Sequence, residues 1–152
     1  MEKMISLKKT REGAEKMSRE GAFYCSEAVV SAIRANIAPE MPDTLIAAAG
    51  GFAVGVGRSL CLCGAVSGGV IALGYFFGRT EPSPAENPKS VNVIKLAGEL
   101  QESFREAHKG VLCCHIHTKD GKIHDHCAAF TGEMAAKTAE IIARELNIEA
   151  RD

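Results

Sequence analysis

The chain reads as an all-α protein, a single-domain helical bundle of five or six helices around a central glycine-rich apolar helix. Three observations predict this. Apolar residues recur three and four apart through most of the sequence, which is the spacing of one helical face. β-hairpin signals are nearly absent, apart from Lys119-Asp120-Gly121-Lys122. The 152 residues suit one core of ordinary size and show no internal repeat, so residues 1–152 read as one domain.

Residues from about 8 to 20 form a polar, amphipathic first helix ended by Gly21. From Phe23 to Ile37, the residues Cys25, Ala28, Val29, Ala32, Ile33 and Ile37 share one face, which turns Cys25 towards the core. Pro39 and Pro42 close that helix. Thr44 to Gly57 is small and apolar. A helix is expected through Ala47–Ala49, broken by Gly50, Gly51, Gly55 and Gly57 into a tight loop around Arg58 and Ser59.

The central helix is expected from Cys61 to Phe77. Its Gly64 and Gly68 lie four apart, so they share a face where a neighbouring backbone can come close. Pro82, Pro84 and Pro88 mark a surface loop, and Asn87-Pro88 reads as an N-cap followed by proline in the first turn. Val93, Ala97, Leu100, Phe104 and Ala107 mark the next helix, which ends near Gly110. Val111 to Cys127 is the least regular segment. Thr131 is expected to cap a last helix with the stripe Phe130, Met134, Thr138, Ile141, Ile142 and Leu146.

Charge excludes some functions. A formal net charge of −1 gives no electrostatic case for nucleic acid or acidic lipid as partner. No Walker-type phosphate loop and no dinucleotide fingerprint is present. The charged start, Met1 to Gly21, lacks the apolar middle of a secretory signal, so a reducing, cytoplasmic location is expected. Leu60 to Gly78 runs nineteen residues without a charge, near the length of a membrane span. Its five glycines lower its hydrophobicity, and a buried helix explains it better than a membrane does.

The chemistry lies in six cysteines. In a reducing compartment, clustered cysteines are more often metal ligands or redox thiols than structural disulfides. Cys63, at the start of the apolar helix, faces free N–H groups and the positive end of the helix dipole. These favour the thiolate and make it a better nucleophile or ligand. Cys61 precedes it by two residues and is expected to point elsewhere. Between Cys113 and Cys127 lie Cys114, His115, His117, His124 and His126. Thiolate and imidazole suit zinc, copper or iron–sulfur centres, although the spacing matches no zinc finger. Solvated loop residues are the favoured reading for these histidines.

The run Cys63-Gly64-Ala65-Val66-Ser67-Gly68, with Cys25-Ser26-Glu27-Ala28-Val29 before it and Gly110-Val111-Leu112-Cys113 and Cys127 after it, resembles the C_GCAxxG_C_C family. Its members are small, mostly uncharacterised prokaryotic proteins grouped as redox-active. The resemblance covers roughly residues 10 to 146 and implies Cys25, Cys63, Cys113 and Cys127 as the recurrent set, expected to converge on one site. A similar domain accompanies an iron–sulfur centre in split-Soret cytochrome c, so the resemblance implies an iron–sulfur cluster, with [2Fe–2S] as the leading cofactor. Cys61, Cys114, His115 and His126 are additional candidates, because a neighbouring thiol or a histidine can replace a thiolate ligand. The leading function is then electron transfer or redox sensing with an unidentified electron-transfer partner. A metal-free thiol–disulfide protein is second, and a structural or regulatory zinc protein using the same cysteines is third. The glycine-lined face and the apolar helix also allow a homodimer.

Overall fold

The computed structural model describes residues 1, 3–111, 113 and 125–152. Among them, six α-helices of six residues or more carry the fold. They are α1 Leu7–Arg19, α2 Cys25–Asn36, α3 Thr44–Ala49, α4 Gly64–Phe77, α5 Pro88–His108 and α6 Asp125–Leu146. Two three-residue strands, β1 Met4–Ser6 and β2 Glu149–Arg151, pair in parallel with Ile5 opposite Ala150. Strands this short offer no period to read, and they tie the two ends of the described chain together. The architecture is all-α.

Local chemistry sets the helix starts. Ser6 caps α1 by accepting from Lys9 N at 3.1 Å. Asn87 caps α5 by accepting from Lys89 N at 2.9 Å, with Pro88 as the first helical residue. Tyr24 precedes α2, and its N–H donates to Glu27 Oε1 at 3.3 Å. Two helices start at cysteines of interest. Cys25 opens α2, and Cys63 is the N-cap residue of α4.

The core is largely aliphatic. Ile33 and Ile37, Leu73, Leu96, Leu100, Phe104, Met134, Ile141 and Ile142 are almost wholly removed from water. Each such side chain contributes roughly 1.5–3 kcal/mol through burial. α4 packs against α2, α5 and α6, while α6 also carries α1 on another face. The centre is thus shared between α4 and α6 rather than held by α4 alone.

The glycine face of α4 meets α2. A Cβ on Gly68 would lie 2.5 Å from Ser26 O and 3.0 Å from Ser26 Cα. On the opposite side, a Cβ on Gly69 would lie 2.5 Å from both Leu100 Cδ2 and Thr138 Oγ1. Buried Ser26 donates its hydroxyl to Ala49 O at 2.8 Å and so fastens the start of α2 to the end of α3. No helix among the described residues is long and apolar enough to cross a membrane. The 14 residues of α4 rise only about 21 Å, short of the roughly 30 Å hydrocarbon thickness.

Three expectations are corrected. The apolar helix begins at Gly64, not Cys61, because the backbone of Cys61 and Cys63 is taken up by bonds to the segment around Cys113. Thr131 does not cap the last helix. α6 starts at Asp125, and the Thr131 hydroxyl bonds back to Cys127 O at 2.7 Å inside it. On α5 the buried face runs through Leu96, Leu100 and Phe104, leaving Ala107 exposed.

Candidate thiol site

Three helix starts meet at one cavity. Cys25 is the first residue of α2, Cys63 precedes the first residue of α4, and Cys127 is the third residue of α6. Cys113 comes from the segment after α5. Its N–H donates to Cys61 O at 2.5 Å, and Cys63 N donates to Val111 O at 2.8 Å. This reciprocal main-chain pair draws two distant segments of the chain together. Cys25, Cys63, Cys113 and Cys127 all line a cavity of about 190 Å³, walled also by Phe23, Tyr24, Val54, Gly64 and Phe130. A single water occupies about 10–15 Å³ by such a measure, so the space is no packing defect.

Depth separates the four. Cys63 and Cys113 are 5% and 3% exposed, while Cys25 and Cys127 are half-buried. Cys25, Cys61 and Cys63 are free thiols. Cys25 lies directly over Gly64, so that a Cβ there would overlap its Sγ. Glycine beside Cys63 leaves the side-chain space to the neighbouring thiol.

Burial decides the protonation of these thiols. It pushes Cys63 up to about 12, with the nearby Cys25 and Cys113 thiols adding to the shift. The N–H groups of Ala65 and Val66 at the start of α4 pull the other way and lose. No cap hydrogen bond of normal geometry forms from them to the sulfur. Cys25 is also raised, by burial first, against the backbone N–H groups of Val54, Ser26 and Cys25 itself. The expectation of a reactive Cys63 thiolate is therefore corrected. Desolvation outweighs the helix terminus, and without a cation beside it Cys63 is a protonated thiol at neutral pH.

The other candidates stand apart. Cys61 is exposed, does not line the cavity, and donates its thiol to Ser59 O at 3.7 Å. His126 is half-buried, with its ring 5.5 Å from that of Phe130, and it does not line the cavity either. Cys114, His115, His117 and His124 lie outside the described residues, as does the Lys119–Lys122 turn.

Sequence reasoning missed one wall. Val54, Gly55, Val56, Gly57 and Arg58 all have φ between 52° and 66°, and Leu60 follows at 57°. This is a left-handed turn. It costs roughly 1–2 kcal/mol for each residue bearing a side chain, and β-branched valine is especially ill suited to it. The turn is held by Gly57 N to Gly51 O at 3.0 Å and Cys61 N to Gly55 O at 2.9 Å. At Gly55 a Cβ would lie 2.8 Å from Cys113 Cβ and 2.5 Å from Cys61 N, so only glycine fits. The alternation Val-Gly-Val-Gly was the available signal, since glycines so spaced permit repeated positive φ. The aromatic walls Phe23, Tyr24 and Phe130 carried no signal beyond their apolarity.

Fold and site together define an all-helical domain whose centre is a group of thiols gathered at helix starts around an apolar cavity. The chain belongs to the family described as "Putative redox-active protein (C_GCAxxG_C_C)", whose model matches residues 23–141. The matched span contains all four cavity cysteines. The family is grouped as redox-active on its recurrent cysteines, and a cysteine-based redox role is consistent with membership. No curated protein and no solved structure matches the chain significantly.

Proposed function

We propose that Cys25, Cys63, Cys113 and Cys127 hold an iron–sulfur cluster, [2Fe–2S] as the simplest case, for electron transfer or redox sensing. One observation carries the reading. Four thiols from four separate parts of the chain line a single apolar cavity of about 190 Å³. A single zinc ion would need sulfurs drawn to within about 3.5–4 Å of one another, given metal–sulfur bonds of about 2.3 Å. Among the described residues, no group of three Cys, His, Asp or Glu side chains is arranged to hold a single ion. A cavity of this volume lined by four thiols has room for a larger inorganic unit. An all-sulfur donor set suits iron–sulfur chemistry.

When bound, such a cluster would take up and release single electrons. The residues of the chain supply the rest. The N–H groups at the starts of α2 and α4 favour negative charge at Cys25 and Cys63. Phe23, Tyr24, Val54 and Phe130 limit water around them. Ligation would also require the protonated Cys63 thiol to lose its proton, so loading releases protons and is favoured by rising pH.

One observation favours a second reading, in which Cys25 and Cys63 form a dithiol–disulfide pair. The Cys25 sulfur lies over Gly64, and the Cys25 thiol raises the proton affinity of nearby Cys63. Anaerobic reconstitution with iron and sulfide separates the readings. The cluster predicts about two irons per chain and broad absorption between about 400 and 600 nm. A colourless product that forms a reversible Cys25–Cys63 disulfide would favour the pair, and one that binds a single zinc would favour the structural zinc site.

A further inference from the structure

The least exposed thiols of the cavity sit behind its strained wall. Cys63 and Cys113 are buried, yet any inorganic unit or thiol-reactive group must reach them. One wall beside them is the segment from Ala53 to Cys61. Val54 lines the cavity, and Gly55 lies against Cys113. Farther along, the segment reaches the surface. A Cβ at Gly57 would meet nothing within 4 Å, and Val56 and Leu60 are exposed. On its N-terminal side, Gly50 and Gly51 also have open space around them. On its C-terminal side it is anchored by the bonds from Cys113 N to Cys61 O and from Cys63 N to Val111 O.

Two further features bear on this wall. Its left-handed residues include Val54 and Val56, so the closed form stores strain that release would relieve. Across the cavity rim, Arg58 donates to Tyr24 Oη at 3.2 Å, and Tyr24 itself lines the cavity. This bond joins a side chain of the left-handed turn to one at the start of α2, while the turn itself is held by main-chain bonds.

We propose that residues 53–61 form a strained strap, latched by Arg58 and Tyr24, that opens locally to admit the inorganic iron–sulfur unit to Cys63 and Cys113. The strap hinges at Gly50–Gly51 and swings outwards while the anchored Cys61–Cys63 end stays paired. Strain brings the open form nearer in free energy than global unfolding, so access does not require the core to melt. The proposal rests on the cavity being the functional site, but its test does not involve iron.

The experiment is native-state labelling of the metal-free, reduced protein with iodoacetamide, read residue by residue by mass spectrometry across a urea series. The expected result is a Cys63 labelling rate that depends only weakly on urea below the unfolding transition, because local opening exposes little surface. Val56→Asn, at an exposed position, should slow Cys63 labelling about three- to tenfold, since asparagine tolerates the left-handed region and relieves the closed form. Tyr24→Phe should speed it about two- to fivefold by removing only the latch hydrogen bond. Urea melts of each variant fix its global unfolding for comparison. A Cys63 rate with the full urea slope of unfolding would overturn the strap, as would rates in both variants equal to that of the parent protein. Failure of iron loading with these labelling results intact would overturn the cluster and leave the strap standing.

Discussion

Three glycines of α4 separate packing from site chemistry, and alanine at each should have a different effect. In a helix interior, alanine is intrinsically better than glycine by about 0.5–1 kcal/mol. Gly74 has open space where a Cβ would go, so Gly74→Ala should stabilise by about that amount. Gly68 is the opposite case. Its Cβ would lie 2.5 Å from Ser26 O, 3.0 Å from Ser26 Cα and 3.0 Å from Val29 Cβ. These are mostly backbone atoms of α2 and cannot rotate away, so α2 and α4 must separate. Overpacking of this kind costs about 1–3 kcal/mol, which exceeds the intrinsic gain. Gly64 lies between the two. Its Cβ would overlap Cys25 Sγ but lie 3.2 Å from Phe52 O and 3.5 Å from Ser26 N, contacts that small shifts absorb. The Cys25 sulfur can leave by rotating its side chain, at a cost near 1 kcal/mol or less. Gly64→Ala should therefore leave stability within about 1 kcal/mol of the parent, yet turn Cys25 out of the cavity. Urea melts give the stability order Gly74→Ala, parent, Gly68→Ala, with Gly64→Ala near the parent. Alkylation mapped to Cys25 should be several-fold faster in Gly64→Ala alone, and iron loading should fall there first. If Gly64→Ala destabilises as much as Gly68→Ala with Cys25 alkylation unchanged, the claim that Gly64 makes room for a thiol is wrong.

Three more outcomes follow from the site and its supports. Because burial raises the folded-state Cys63 to about 12 from an ordinary value near 9, the metal-free protein keeps this stability below pH 9. It should lose roughly 1.4 kcal/mol per pH unit as pH rises from 9 towards 12, and Cys63→Ala should flatten that slope in pH-dependent urea melts. Cys63→Ser should abolish iron loading, while Cys61→Ser, at an exposed position outside the cavity, should leave iron content within about twofold of the parent. Ser26→Ala leaves Ala49 O without its buried donor and should cost about 1–2 kcal/mol in urea melts, with no change in the alkylation rate of Cys61.

What the sequence made legible follows from which forces act locally. The helices were legible because burial on one face imposes a period, and α2 and α5 follow it within a few residues, whereas α6 starts six residues before the expected cap Thr131. The Gly64/Gly68 face was legible because four-residue spacing on a helix is fixed geometry. Its partner, α2, was not, since nothing in the spacing says which neighbour comes close. The cysteine set was legible through the Cys63–Gly68 run and the order of the others. The cavity they line depends on a main-chain pairing between Cys61–Cys63 and Val111–Cys113 that joins segments fifty residues apart. The strands β1 and β2 were too short to leave a pattern.

Two local rules give way to tertiary context in this site. A helix start favours an ionised cysteine, and valine disfavours the left-handed region. Both rules are sound for an isolated segment. At Cys63 the low dielectric around a 5% exposed sulfur outweighs two helix N–H groups, because transferring a charge out of water costs more than partial dipoles at imperfect geometry return. At Val54 and Val56 the bonds from Gly57 to Gly51 and from Cys61 to Gly55 hold the turn against its own preference. Local rules fail here in the two elements that face the cavity, the buried thiol and its strained wall. Sites where tertiary context overrides local preference are where function is expected to lie. That coincidence is an argument for the cavity as the working centre that does not depend on family resemblance. It also has a consequence. If the strain were merely tolerated, replacing Val56 with asparagine would stabilise the fold and change nothing at the sulfurs. If the strain serves access, the same change should stabilise the fold and close the site together, so that thermal stability rises while Cys63 labelling slows.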